Sequence, residues 1–164
     1  MIIPIVSISI FFAFCNVLNF YTSSLFLYID IVPILLIFCA KELSGRRYLL
    51  AILFILLMAF FFEKFFLLNT FFIIIFAILS YRSKRLFNIV SISYIVFFVL
   101  VFFICKFTLF SFVLHKKIGF NRLVFYDMLI NILGNCLLSP FLFIFLDSIF
   151  SFLRAKSEKV LCSA

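Results

Sequence analysis

Tryptophan is absent from this chain, glycine occurs only at Gly45, Gly119 and Gly134, and histidine only at His115. Three scattered glycines cannot form a glycine-rich phosphate loop. A lone histidine beside Lys116 and Lys117 excludes an HEXXH metal motif and speaks against a histidine-based triad. Charge is scarce: 12% of residues are Asp, Glu, Lys or Arg, against about a quarter in a soluble domain. The acids are Asp30, Glu42, Glu63, Asp127, Asp147 and Glu158, and no two stand at a spacing that implies a metal site. The five cysteines, Cys15, Cys39, Cys105, Cys136 and Cys162, include no CxxC pair. They imply neither a disulfide framework nor zinc, and read as small apolar fillers. No enzyme constellation, cofactor or metal is expected.

What is present is hydrophobic sequence. Apolar residues make up 68% of the chain and aromatic residues 22%, and the mean hydropathy is +1.42. No hydrophilic stretch is long enough for a soluble domain, so the expectation is one integral membrane domain over 1–164, all α-helical. Six apolar spans are expected at about 2–20, 25–40, 48–62, 67–81, 86–107 and 128–153. The stretch 48–81 is divided because one straight helix would be about 50 Å long, against a hydrocarbon core of roughly 30 Å. Its polar interruption, Glu63 to Thr70, marks the turn. Pro33 suits the first turn of a helix, where its missing N–H would have had no partner, so the second helix should begin near Val32 with Tyr28 to Asp30 in the interface. Asn16 and Asn19 read as interfacial caps. The segment from Thr108 to Arg122 reads as a loop or a short interfacial helix.

The net charge of +8 raises the question of nucleic acid. The basic residues fall instead in short loops between apolar runs, where membrane orientation accounts for them. With six spans and the N-terminus inside, Lys41, Arg46, Arg47, Arg82, Lys84, Arg85, Arg154, Lys156 and Lys159 lie on the cytoplasmic side. Lys64, Lys116, Lys117 and Arg122 lie outside. This bias predicts both termini in the cytoplasm, a bilayer as the environment, and no nucleic-acid partner.

The last span carries the most informative pattern. Asp127, Asn131, Asn135 and Ser139 recur at steps of four. Each step turns about 400°, so the stripe drifts only about 40° per step and stays on one helix face. Gly134 lies beside it and Pro140 ends it. Polar groups facing lipid are costly, so the stripe should face other helices of the chain, a partner protein or a solute. Intramolecular glue and a partner face are the leading readings. The small Gly134, which allows close approach of another backbone, favours the partner.

Several of these stretches resemble the rod-shape-determining membrane protein MreD family of bacteria. Asp30-Ile31-Val32-Pro33-Ile34-Leu35-Leu36 is similar to that family's Pro-Asp-Leu-Leu opening of the second span, with Ile34 where the acid stands. The run Leu56 to Glu63 resembles the third span, with Glu63 where Asp is usual. Leu67-Leu68-Asn69-Thr70 resembles the Leu-Gly opening of the fourth, with Asn69 for Gly. The last helix offers Asn131 or Asn135, an apolar run and Pro140. The resemblance implies a non-enzymatic inner-membrane component of the cell-elongation machinery that binds an MreC-like protein. It implies work alongside the actin-like MreB, a glycosyltransferase and a penicillin-binding protein in peptidoglycan synthesis. It also implies a six-helix bundle similar to substrate-binding subunits of energy-coupling-type vitamin transporters, which supplies the rival function, a small-solute transporter subunit. The partner-facing candidates are then Asp127, Asn131, Gly134, Asn135, Ser139, Pro140, Pro33 and Glu63.

Overall fold

The computed structural model describes residues 2–22, 28–62, 66–84, 86, 91–118 and 122–162. Among these residues the regular structure is six α-helices: α1 (Ile2–Thr22), α2 (Val32–Glu42), α3 (Gly45–Phe62), α4 (Phe66–Ser83), α5 (Ile92–Ile118) and α6 (Arg122–Cys162). Stretches of α1, α5 and α6 (Ile3–Tyr21, Ile92–Leu109 and Tyr126–Glu158) are long and apolar enough to cross a membrane, and Thr70–Ser83 is a shorter apolar helix. Among the described residues all regular structure is helical, and the long apolar helices are those of an α-helical membrane protein.

α2 is the axis of the bundle. It has 11 residues, and every one from Val32 to Ala40 is buried. It packs against α3, α4, α5 and α6, whereas α1 packs chiefly on α6. Such a helix has no need of an amphipathic face, and its sequence, VPILLIFCA, shows none. The other helices surround it in alternating directions. Rings of Phe11 and Phe14 on α1 lie 6.4 and 4.7 Å from Phe145 on α6, while Phe38 of α2 meets Phe150 at 5.4 Å. Between α4 and α5, Phe76 meets Phe98 and Phe102 edge-to-face at 5.5 and 4.9 Å. That geometry sets positive ring edges against negative faces.

Several boundaries differ from those the sequence suggested. Within the apolar span 25–40 the regular helix starts at Val32, as Pro33 suggested, and residues 28–31 are not helical. At about 16 Å, α2 covers roughly half of a bilayer core. The part 108–118 is not a loop or a separate interfacial helix but the continuation of α5, and α6 begins at Arg122; residues 119–121 lie outside the described residues. The reason is local. Thr108 turns its hydroxyl back to the Ile104 carbonyl at 2.7 Å, and nothing between it and Gly119 breaks a helix. α6 likewise extends beyond 128–153 at both ends. α3 ends at Phe62 and α4 begins at Phe66, and Glu63 lies outside the described residues.

Two special backbone positions hold the turns and the long helix. Gly45 has φ +54°, a left-handed conformation costly for other residues, and it lets α3 start with only Leu43 and Ser44 between it and α2. Pro140 lies inside α6, where it cannot donate to the Cys136 carbonyl. The Ser139 hydroxyl donates to that carbonyl instead, at 3.0 Å, and Ser139 is fully buried. Ser139→Ala should therefore lower stability in detergent by about 1–2 kcal/mol, the cost of an orphaned buried acceptor. Adding Pro140→Ala should recover most of the loss by restoring a backbone N–H. Thermal melts of the single and double variants test this, and equal loss in both would dismiss the compensation.

Candidate functional site

The stretch before α2, residues 28–31, has no regular secondary structure and enters the protein interior. Tyr28 is exposed, but Ile29 and Asp30 are 3% and 5% exposed. Buried backbone outside a helix needs partners supplied by the protein, and here asparagine side chains supply them. The Asn19 carboxamide accepts from Ile29 N–H at 2.7 Å and donates to its carbonyl at 2.9 Å. The Asn135 carboxamide accepts from Asp30 N–H at 2.9 Å and donates to the Tyr28 carbonyl at 2.8 Å. Asn131 accepts from Tyr28 N–H at 2.7 Å. A carboxamide repeats the donor and acceptor of a peptide group, so Asn19 of α1 and Asn135 of α6 supply the partners this irregular backbone would otherwise lack.

Asp30 closes the segment. One carboxylate oxygen accepts from Val32 N–H at 3.0 Å, in the first turn of α2, where the helix dipole favours an anion. The other meets Lys106 Nζ of α5 at 2.6 Å. The pair is well withdrawn from solvent, with side chains 4% and 18% exposed. Lys106 also stands over the Phe102 ring, 5.8 Å from its centroid. Ionisable groups within spans are expensive and tend to pair, which accounts for the arrangement. Beside this point lies a cavity of about 40 Å³, bordered by Phe12, Asn16, Asn19, Asp30, Ile55 and Met58 among others. It has room for ordered water.

A second polar cluster occupies the opposite end of the bundle. Lys41, in the last turn of α2, pairs with Asp147 of α6 and with Glu42 at 3.2 Å. Burial acts against the charge on Lys41, but the hydrogen bonds and charges of Asp147 and Glu42 outweigh it and raise its pKa. Lys84 donates to the Lys41 carbonyl at 3.0 Å. Tyr48 donates to the Ala77 carbonyl at 2.6 Å and lies 3.0 Å from Ser80 Oγ.

The polar stripe of α6 thus turns inward along its length. Asp127 is exposed, Asn131 intermediate, and Asn135 and Ser139 are buried. Asn131 and Asn135, read from the sequence as a face for a partner helix, hydrogen-bond here to this chain's own backbone, Asn131 at Tyr28 and Asn135 at Tyr28 and Asp30. The reason is the short α2, which leaves backbone groups there that only neighbouring side chains can reach. Gly134 is intermediate in exposure, Pro140 intermediate within α6, and Pro33 buried in the first turn of α2. Asn19, expected as an interfacial cap, belongs to the clamp on Ile29. Asp147 pairs with Lys41. The side chains of Lys116, Lys117 and Arg122 lie outside what is described.

No protein-family model, curated protein or solved structure matches this chain. Sequence reading named Asn19 and Asp30 without their partners and passed over Lys106. A signal was available for Asp30 and Lys106. One acid and one base, each alone in an apolar run, are expected to seek each other inside a membrane.

Proposed function

We propose that the chain is a non-enzymatic component of the bacterial rod-shape machinery, as its resemblance to the MreD family implies. It spans the cytoplasmic membrane six times with both termini inside. It binds an MreC-like membrane protein and helps to organise MreB, the glycosyltransferase and the penicillin-binding protein during peptidoglycan synthesis. The observation that carries this reading is the division of α6 into two faces. One face is committed to the 28–30 backbone. The other is an apolar ridge: Tyr126, Ile130, Leu133, Leu137 and Phe141 are 61, 47, 60, 72 and 72% exposed. A ridge at helical spacing on the longest helix suits packing with a partner's transmembrane helix.

A transporter subunit is the second reading, favoured by the half-length α2 and its unwound approach, a common feature of membrane solute sites. Size weighs against it. The cavity there is about 40 Å³, whereas small-molecule sites are on the order of 300–1,000 Å³.

Affinity purification in mild detergent separates the two. The expected result is recovery of an MreC-like protein, reduced at least about tenfold by Leu133→Trp with Leu137→Trp while the variant's own melting temperature holds. A tenfold loss corresponds to about 1.4 kcal/mol of contact. Recovery of a paired ATPase with a membrane scaffold would replace this reading with the transporter.

A further inference from the structure

The end of the bundle that holds Lys41 and Lys84 carries more positive charge than its acids can match. Its acids are spoken for: Glu42 and Asp147 pair with Lys41, and Glu158 pairs with Arg154 at 3.2 Å. Arg46, Arg47, Arg82, Lys84 and Lys156 are exposed, and among the described residues none of them is in an ion pair. The fold brings the first four together. α3 and α4 are locked side by side at this end by the Tyr48–Tyr81 ring contact at 4.9 Å and by Tyr48 bonding at Ala77 and Ser80. Arg46 and Arg47 therefore open α3 next to the Arg82 and Lys84 that close α4. No acid occupies the first turn of α3, so its orphan N–H groups add to the positive field.

Apolar surface lies directly below these cations. Leu49, Leu50 and Leu53 on α3 are 67, 45 and 63% exposed, and Ile78 and Leu79 on α4 are 52 and 47% exposed. Leu50 stands four residues from Arg46, and Ile78 four residues from Arg82, so each cation shares a face with an apolar side chain one turn away. A charged rim over an apolar wall has the polarity of an amphiphile.

We propose that the α3–α4 end binds the phosphate of anionic phospholipids, with Arg46, Arg47 and Arg82 as the headgroup contacts and the leucine wall as the acyl contact. Guanidinium groups suit this task because their planar fork can meet two phosphate oxygens at once. The site is a property of this chain alone and does not depend on which protein binds α6.

The test uses the full chain in neutral detergent and titrates phosphatidylglycerol, phosphatidylcholine and inorganic phosphate, reading bound lipid by native mass spectrometry and melting temperature together. Phosphatidylglycerol should bind and raise the melting temperature by several degrees, phosphatidylcholine and inorganic phosphate much less, and added salt should weaken the effect. Arg46→Gln, Arg47→Gln and Arg82→Gln combined should weaken phosphatidylglycerol on the order of a hundredfold, at about 1 kcal/mol per surface cation. The lipid-free melting temperature of that variant should hold. Arg154→Gln with Lys156→Gln should leave binding intact. Four results would each overturn the site: equal binding of phosphatidylcholine, an equal effect of inorganic phosphate, no loss in the triple variant, or equal loss in the control.

Discussion

Lys106→Met is expected to lower the stability of the protein in detergent by about 3 kcal/mol, the low end for a buried pair that loses one partner. The low end applies because the Lys106 side chain retains 18% exposure. Asp30 cannot move to water: its side chain is 4% exposed and tied to Val32 N–H at the start of α2. Lys106 has a long flexible stem and can carry its ammonium toward the interface. Asp30→Asn should therefore cost less than Lys106→Met, because the amide oxygen still accepts from Val32 and the stranded charge can leave. The double variant Asp30→Asn with Lys106→Met should recover much of the Lys106→Met loss, since it removes both charges. A thermodynamic cycle from melts or denaturant titrations measures the coupling. If the two single losses simply add, the ion pair has no structural weight.

The second large effect belongs to Asn135. Asn135→Leu strands the buried Asp30 N–H and removes the partner of the part-buried Tyr28 C=O, and a buried orphan costs about 1–3 kcal/mol. The expected loss is about 3 kcal/mol. Asn131→Leu removes the bond to Tyr28 N–H, at an exposed position where water can substitute, so about 1 kcal/mol is expected. Hydrogen exchange adds a local reading: Asp30 N–H should lose protection in Asn135→Leu and keep it in Asn131→Leu. Equal losses of stability in the two variants would remove the distinction between the deep and the shallow carboxamide.

Much of the architecture was legible because it follows from composition and chain geometry. An apolar run from 48 to 81 is too long for one crossing, and α3 and α4 divide it. Pro33 marked the start of α2 within one residue. What was not legible depended on distant partners. Nothing near Asn131 or Asn135 says that backbone more than a hundred positions earlier lacks hydrogen bonds, so the stripe could be placed on a face but not assigned an occupant. The extent of α5 was missed because its polar end, from Thr108 to Lys117, reads as a boundary by composition although its backbone stays helical. Asp30 and Lys106 were each visible as an isolated charge, but only the packing of α5 on α2 makes them a pair.

The short α2 also bears on how the protein is made. Three of the bonds that hold its approach segment come from α6, about a hundred positions later in the chain. Until Asn131 and Asn135 emerge, those bonds to Tyr28 and Asp30 cannot form. The second helix therefore takes its final seat only after the sixth has followed it, and a chain cut short before α6 is left with an unfinished centre.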